Sequence, residues 1–394
     1  MKNVDEYAFA PLKVTEVSFR GVEVPAPRSG HRIVCDQNKM YCFGGYNPTL
    51  PETPRNSPDR TQALPLFKEM WTFNITTRRW KLHRNIENMP SELASNAMIL
   101  YGGKYIMIFG GTGAPFGHKC SNDLYVWCTD PPDDKVFKAE ALGVKPPGAY
   151  GQAITCYKGH MYTVGGTNGF AYNSDIFRLD LRTYTWDQVF IATGHEYEPM
   201  GRYRHEVVKV DNKLHVLGGG TGDWAFELMD IPVFDLDTAK WSRLEAKADT
   251  SMSEPLAPLA RKCHSAVQID TPGGTEVFVV GGTDGVGVFD DIWKLNMKTL
   301  QWTVIRDAYL PHGLYFHSAA VTPQGCMYVF GGICPRDPSN SRTNTLFKMW
   351  VTIPKLNEMC WEALLHYYPN LEKANRAHLR SLGIPCHFLD RLEQ

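Results

Sequence analysis

The chain has 394 residues, 43% of them hydrophobic, and its 41 basic and 42 acidic side chains leave a formal net charge of −1. This balance argues against a protein that binds nucleic acid or anionic membrane through overall positive charge. The length suits one large domain with an ample core and a small appendage.

Residues 1–10 lack the apolar core of a signal peptide, and no stretch approaches the roughly 18 apolar residues of a membrane span. We therefore expect a protein of the cytoplasm, the nucleus or both. Ten cysteines without a CxxC pair favour reduced core thiols over disulfides or a zinc site. Neither a metal nor another cofactor is expected.

Residues 1–13 predict an N-terminal extension, and residues 14–19 alternate in polarity like an edge strand. Short hydrophobic runs, rich in Val, Phe, Tyr and Ile and therefore typical of strands, then recur about every 50 to 65 residues up to residue 353. Each run ends in two glycines, which tolerate a positive φ and a close approach of neighbouring strands. The pairs are Gly44-Gly45, Gly110-Gly111, Gly165-Gly166, Gly218-Gly219, Gly281-Gly282 and Gly331-Gly332.

A second signature follows the glycine pairs: a third strand, a polar turn and a tryptophan on a fourth strand. The tryptophans are Trp80, Trp186, Trp241 and Trp302. The second repeat carries Val136 and Phe137 at the corresponding place and is the degenerate one. In the first repeat an insertion with five prolines, residues 48–67, delays the tryptophan. The insertion predicts either a rim beside a binding site or a plain surface loop.

The glycine pairs, spaced aromatics and polar turns resemble the kelch repeat over residues 14–353. The resemblance implies an all-β, six-bladed kelch β-propeller. The last repeat supplies only three strand-like runs. We therefore expect residues 14–19 to complete the sixth blade and close the ring, which leaves no open sheet edge.

In kelch topology, the residues before each inner strand and those after each glycine pair line one mouth of the propeller. Arg202, Arg204 and Arg261 fall there on consecutive repeats, and Arg204 stands where the first repeat has Gly30. Paired guanidinium donors match the two oxygens of a carboxylate, so these arginines are candidates to hold a carboxylate ligand. Further candidates for the same site are Tyr150, Trp224, Tyr315, Phe316 and His317.

A structural role is the alternative for several of these residues, because repeated positions normally serve the repeat. His31, His205, His264 and His317 recur in register, and this regularity favours braces between blades. Arg202 and Arg261 match Arg28 of the first repeat, and for them both roles stay open.

The pattern changes to helical over residues 354–394. Leu356, Cys360 and Leu364 recur every four residues and so line one helix face, with Pro354 in the first turn. Asn370 is the expected N-cap of a second helix, and Pro385 opens a third. The plain interpretation is a helical cap that packs on the propeller and buries these side chains.

The same residues resemble a BC box, through which substrate receptors bind elongin C as part of a three-helix SOCS or VHL-type box, although Lys355 stands where Ser, Thr or Pro is usual. Ile384, Pro385, Phe388 and Leu389 resemble a cullin-2 box, and the LPxP of a cullin-5 box is missing. The chain is therefore similar to the kelch-domain substrate receptors of cullin-2 RING ubiquitin ligases.

This resemblance implies a non-catalytic receptor subunit that binds C-terminal degrons, commonly ending in glycine, and presents the protein for ubiquitylation and proteasomal degradation. Its partners would be elongin B, elongin C, cullin-2 with its RING subunit, and substrate C-termini. A kelch scaffold that binds cytoskeletal or signalling partners is the alternative. An enzyme of the copper-oxidase type is disfavoured, because no set of Tyr, His and Cys ligands stands out.

Overall fold

The computed structural model describes residues 6–49, 66–91, 94–129, 132, 135–251, 256–335 and 341–393. Most of the 48–67 insertion lies outside the described residues, so its two interpretations stay open. The described strands form six four-stranded antiparallel sheets, one of which gains a fifth strand, and each of these six sheets is one blade. A separate two-stranded sheet pairs Ile333–Cys334 with Ser341–Arg342 in the loop of blade six. The predicted six-bladed propeller is therefore confirmed.

The blades are numbered one to six along the chain, and their strands run from the axis outward. Blades one to three comprise Arg32–Cys35, Lys39–Phe43, Met70–Asn74 and Arg79–His83; Ala97–Tyr101, Tyr105–Phe109, Leu124–Cys128 and Phe137–Lys138; and Ala153–Tyr157, His160–Thr167, Tyr172–Asp180 and Thr185–Phe190, with Leu142–Gly143 parallel to the last. Blades four to six comprise Glu206–Val210, Lys213–Leu217, Asp230–Asp235 and Lys240–Glu245; Ser265–Thr271, Gly274–Val280, Ile292–Asn296 and Gln301–Val304; and Ser318–Val321, Cys326–Phe330, Leu346–Trp350 and Thr15–Glu16.

The N-terminal strand Thr15–Glu16 closes the ring, as the sequence predicts. It pairs antiparallel with Leu346–Trp350, with Thr15 opposite Lys348 and Glu16 opposite Phe347. Only two of the predicted residues 14–19 join the ladder. The inner strands of blades one and six lie side by side, so the ring is complete.

Apolar side chains of adjacent blades pack against each other and form the core. Trp186 and Trp302, two of the predicted outer-strand tryptophans, are fully buried in these layers. Blade two is degenerate, as predicted, because its outer strand has only two residues, Phe137–Lys138. Trp127, from the third strand of that blade, fills the layer between blades one and two instead.

The glycine pairs let neighbouring blades meet. Gly281 has a φ of +57°, and a Cβ there would lie 2.6 Å from the carbonyl oxygen of Leu314 and 3.0 Å from the ring of His317 in the next blade. A Cβ on Gly282 would lie 2.7 Å from the Cβ of His264 in its own blade. One glycine of the pair therefore accommodates the next blade, and the other accommodates its own.

The C-terminal residues form three α-helices, α1 (Leu356–Tyr367), α2 (Arg376–Ser381) and α3 (Cys386–Leu389), and 3-10 turns at Leu371–Lys373 and Asp390–Leu392. Pro354 precedes α1 instead of lying in its first turn. The N-cap of α2 is Asn375 and not Asn370, because the Asn375 side chain accepts a hydrogen bond from the backbone N–H of His378. This segment, residues 356–393, is called the tail below.

The tail packs on the face of the propeller opposite the glycine pairs. A small cavity between them is lined by Gln37 and Gln324, which lie in the turns between first and second strands, and by Trp361 of α1. Asn74 of blade one donates to the carbonyl oxygens of Arg391 and Glu393 at 3.1 and 2.9 Å.

Further contacts hold the same docking. Lys348 of blade six pairs with Glu362 of α1 at 2.7 Å. The backbone N–H of Tyr7 donates to the hydroxyl of Tyr367 at 2.9 Å, so the N-terminal segment also contacts the tail. The tail is therefore fixed to blades one and six.

Candidate functional site

A closed ring of backbone hydrogen bonds surrounds the propeller axis where the chain enters each inner strand. One residue per blade donates its N–H to the carbonyl oxygen of its counterpart in the preceding blade, at 2.7 to 3.1 Å, and blade one donates to blade six. All six have a φ between 53° and 70°, which is unusual for residues other than glycine. They are Gly30, Ser95, Gly151, Arg204, Cys263 and Phe316. We call them the axial ring.

Arg204 is the charged member of the axial ring, and its side chain crosses the mouth. Its Nη2 donates to the hydroxyl of Ser95 in blade two, and its guanidinium carbon lies 4.8 Å from the ring centre of Phe316 in blade six. The side chain is buried, and its Nε has no hydrogen-bond partner among the described residues. Burial, and to a lesser extent the charge of Arg32, lower the pKa of Arg204 to about 10, so the group stays protonated at neutral pH.

A second charged layer closes the axis beneath Arg204. Arg32 of blade one reaches Glu206 of blade four, with 2.9 Å between Nη1 and Oε1, and its Nε donates to the carbonyl oxygen of Asn96 at 3.3 Å. Arg32, Arg204 and Glu206 together carry one excess positive charge. Ion pairing therefore leaves a net cation at the floor of the mouth.

Aromatic side chains stand above the axial ring. Tyr150, Tyr203 and Tyr315 each directly precede a ring residue and are half-buried. Tyr150 and Tyr203 have ring centres 6.3 Å apart, and Tyr315 lies 5.4 Å from Phe316. The structure thus brings the predicted residues Tyr150, Tyr315 and Phe316 together around Arg204.

Arg202 and Arg261 lie close to this mouth in sequence but point into the blades. Arg202 donates from Nη1 to the carbonyl oxygen of Gly218 at 2.9 Å, and Arg261 makes the same bond to Gly281 at 3.0 Å. Arg261 is also paired through both Nη atoms with Asp291, at 2.6 and 3.0 Å. Their guanidinium groups are buried and already satisfied. We call them, together with Arg28 in blade one, the brace arginines.

Arg28 confirms that the brace is a repeated feature. Its Nη1 donates to Gly44 at 3.0 Å, and its Nη2 pairs with Glu69 at 2.8 Å. All three brace arginines also lie 4.1 to 4.4 Å from the centre of a phenylalanine ring. The geometry thus favours the structural alternative for Arg202 and Arg261.

The histidines in register are buried between blades. His31 Nε2 lies 3.1 Å from the carbonyl oxygen of Phe330 in the neighbouring blade. Burial is the main cause that lowers the pKa of His205 to about 3 and that of His317 to about 4, so both are neutral at physiological pH. His317 therefore lies beneath the mouth surface and not in it.

Sequence reasoning missed part of the mouth. Ser95 was not identified, although it occupies the same register position as Gly30 and Arg204. The pairing of Arg32 with Glu206 was missed too, because the residues are 174 positions apart and only ring closure places them together. Lys262 also lies at the rim, where its Nζ donates to the carbonyl oxygens of Thr221 and Gly222 at 2.7 and 2.8 Å.

The tail presents a second candidate site. Leu356 is 73% exposed and Cys360 is also exposed, while Leu364, on the same face of α1, is half-buried. Trp361 faces the other way, into a small core with Leu371. The expectation that a cap would bury Leu356 and Cys360 is therefore not met.

The cullin-box candidates divide into two pairs. Phe388 and Leu389 are buried in the tail's own core, with Trp361 stacked on Phe388 at 4.9 Å between ring centres. Ile384 is half-buried and Pro385 is exposed. The first pair holds the tail together, and the second pair is the accessible part of the box.

In the described part of the chain, no group of three or more His, Cys, Asp or Glu side chains is placed to hold a metal ion. Nor does any helix there have the length and apolar character needed to cross a membrane. The ten cysteines are free thiols.

The repeats, the axial ring and the ring closure define a kelch-repeat β-propeller protein. Comparison with known families refines this: the KLHDC2/KLHL20/DRC7 Kelch-repeats domain matches residues 3–219, 57–271 and 198–378, and the chain belongs to that family.

Individual relatives are similar over nearly the whole chain. Kelch domain-containing protein 10 homolog of Drosophila melanogaster is 43% identical over 98% of this chain and 66% of its own length. Kelch domain-containing protein 10 of Xenopus laevis is 40% identical over 95% of this chain and 87% of its own length. The human protein of that name is 39% identical over 97% of this chain and 83% of its own length.

Proposed function

We propose that the protein is the substrate-recognition subunit of a cullin-2/elongin B/C RING ubiquitin ligase. The propeller mouth receives the C-terminus of a substrate, and the tail recruits elongin C and cullin-2. The chemistry of ubiquitin transfer belongs to the recruited subunits. The observation that carries the proposal is the exposure of Leu356 and Cys360 on a helix that is otherwise fixed to the propeller.

The packing of the tail supports elongin binding because it buries one face of α1 and leaves another face free for a partner. The Trp361 face is committed to the tail core, and Glu358 is held by two bonds from Arg391, at 2.6 and 2.7 Å. The Leu356 face is therefore oriented outward. An exposed leucine beside a small cysteine suits a partner with an apolar pocket that approaches the helix closely.

The mouth supports recognition of a chain end. Arg204 offers a buried cation whose Nε has no hydrogen-bond partner among the described residues, and a carboxylate is the ligand that best satisfies it. The Arg32–Glu206 pair closes the axis beneath it, so a peptide cannot pass through and has to end there. The aromatic walls around Arg204 would favour a small terminal residue such as glycine.

The residues of the mouth divide into those that would touch the substrate and those that support them. Arg204 is the carboxylate ligand, with Tyr150, Tyr315 and Phe316 as the walls. Arg202, Arg261 and His317 support the mouth from within the blades.

Co-purification with elongin B, elongin C and either cullin-2 or cullin-5 tests the ligase assignment. We expect the wild-type protein to bind the elongins with cullin-2, and the double variant Leu356→Ala/Cys360→Phe to lose both while it retains its thermal stability. Leu142→Ala is the matched control, because Leu142 is also 70% exposed but lies on the outer edge of blade three. Capture of cullin-5 instead of cullin-2 would contradict the cullin assignment.

A kelch scaffold remains the second candidate. The docking of the tail through Asn74 and Lys348 favours it, because a domain that only caps the propeller would be held in the same way. Failure of the wild-type protein to bind elongins would make the scaffold the better account.

A further inference from the structure

Exposed apolar side chains surround the propeller mouth. Phe170 is 90% exposed, Trp224 is 68% exposed and Val286 is 99% exposed, although loop tips normally carry polar residues. They lie on blades three, four and five, each three positions after a threonine, namely Thr167, Thr221 and Thr283, although in blade four Gly220 separates the glycine pair from the threonine. We call these three side chains the crown.

The crown residue of blade three is held in a fixed turn. Thr167 Oγ1 accepts from the N–H of Gly169 at 3.0 Å and donates to the carbonyl oxygen of Ala171 at 2.7 Å. Asn168 Oδ1 accepts from the N–H of Phe170 at 3.0 Å. The turn therefore fixes the backbone beneath the exposed phenylalanine.

Blade five repeats the same turn with different residues. Thr283 Oγ1 accepts from the N–H of Gly285 at 3.0 Å and donates to the carbonyl oxygen of Gly287 at 2.6 Å. Asp284 Oδ1 accepts from the N–H of Val286 at 2.8 Å. In blade four, the N–H of Trp224 itself donates to a threonine hydroxyl, at 3.1 Å. Three adjacent blades thus present an apolar side chain on a pre-organised backbone.

The crown is continuous with the mouth. Thr167 pairs through its backbone with Tyr150, and Thr283 pairs in the same way with Lys262. These partners directly precede residues of the axial ring. A polypeptide that ends at Arg204 and leaves the mouth over blades three to five therefore passes the crown.

We propose that the crown binds the substrate segment just upstream of the captured C-terminus, through apolar side chains of that segment. The proposal rests on the proposed function and adds a second specificity element to it. Exposed apolar side chains on three adjacent blades of one rim are suited to contact a partner, because their burial in a complex is favourable. A rigid backbone lowers the entropic cost of that binding. The substrate is then selected by two features: a free carboxylate at its end and an apolar stretch before it.

Fluorescence polarisation with two labelled twelve-residue peptides tests this. Both end in glycine; one carries leucine at the fourth to ninth places from the end, and the other carries serine there. We expect the wild-type protein to bind the leucine peptide about tenfold or more tightly than the serine peptide. The triple variant Phe170→Ser/Trp224→Ser/Val286→Ser should bind both peptides with the affinity that the wild-type protein has for the serine peptide.

Leu142→Ser serves as the control, because it removes an equally exposed apolar side chain away from the mouth and should leave the preference intact. Equal affinity of the wild-type protein for both peptides, or a preference that survives in the triple variant, would overturn the proposed role of the crown. Neither result would contradict the proposal that the mouth binds a C-terminus. Tight binding of the leucine peptide that is unaffected by amidation of its C-terminus would leave the crown in place and contradict carboxylate capture. No binding of either peptide would overturn both.

Discussion

Arg202 and Arg204 are two positions apart on blade four, yet they belong to different parts of the molecule. Arg202 points into the blade, where a carbonyl oxygen of the glycine pair accepts its hydrogen bond. Arg204 points across the axis, where its Nε has no partner among the described residues. The difference separates two kinds of buried cation: one that the fold has neutralised or satisfied, and one that it has left available to a ligand.

The comparison also shows why register matters more than residue type. The brace position carries arginine in blades one, four and five, and each time Nη1 donates to the carbonyl oxygen of the first glycine of the pair. The axial-ring position carries six residues of five different types, and only one of them is charged. A repeated residue serves the repeat, whereas a residue that departs from it is the better candidate for function.

Arg261→Ala should break the brace and give the largest loss of stability. The change leaves Asp291 without its buried partner and the carbonyl oxygen of Gly281 without a donor. We expect the free energy of unfolding to fall by about 3 to 5 kcal/mol. Urea denaturation measures this free energy of unfolding.

The control is Arg243→Ala, which removes an ion pair with Asp230 that is half-exposed at both ends. It should change the free energy of unfolding by less than about 1 kcal/mol. Similar losses in the two variants would contradict the distinction between brace and surface arginines.

Arg204→Gly should give the opposite result. Glycine is the natural residue at this position in blades one and three, and it removes both the strain of a positive φ and a buried charge. We expect stability to be unchanged or to rise by about 1 kcal/mol, while affinity for a glycine-ended peptide falls by roughly 2 to 5 kcal/mol. Denaturation and fluorescence polarisation, with the amidated peptide as comparison, measure the two effects. A large loss of stability would show that Arg204 has a structural role like that of the brace arginines.

His205→Gln should change the pH dependence of stability. Burial lowers the pKa of His205 in the folded state to about 3, below the ordinary value of 6.5, so the unfolded chain takes up a proton first as the pH falls. The stability that neutral His205 contributes to the folded state is present above pH 6.5. It is lost between pH 6.5 and 3, by about 1.4 kcal/mol per pH unit. Glutamine already serves at the equivalent position of blade three, as Gln152.

The test is denaturation of both proteins at pH 7, 6 and 5. We expect stability to fall toward pH 5 in both, and less steeply in the variant. Parallel curves would show that His205 is not protected from protonation in the folded state.

The sequence predicts the fold well because its signals are local and repeated. Glycine pairs and spaced tryptophans mark each blade, and a missing strand in the last repeat indicates closure by residues 14–19. The tail helices follow from four-residue periodicity, although Asn375 and not Asn370 caps α2. The 3-10 turn at Leu371–Lys373, which delays that helix, has no clear sequence signal.

The site is predicted less completely, because membership of the site depends on the direction in which each side chain points within its blade. Both Arg202 and Arg204 precede the inner strand, and alignment of the repeats marks Arg204 as the exception but does not give the direction of either side chain. Their separation depends on the positive φ at Arg204, which turns that side chain toward the axis. The partners of Arg204 and Arg32 come from other blades, so only the closed ring identifies them. Ser95 could have been found by aligning the six repeats on Gly30.

Closure of the propeller by Thr15–Glu16 imposes an order on biosynthesis. The hydroxyl of Thr15 reaches the carbonyl oxygen of Lys348, 333 residues further along the chain. The strand Leu346–Trp350 is made after the first five blades, so Thr15–Glu16 stays unpaired, and the face of blade one that packs on blade six stays uncovered, until then. Such late, long-range pairing is slow and leaves apolar strand edges exposed to aggregation. We therefore expect the nascent chain to depend on chaperones until the sixth blade emerges.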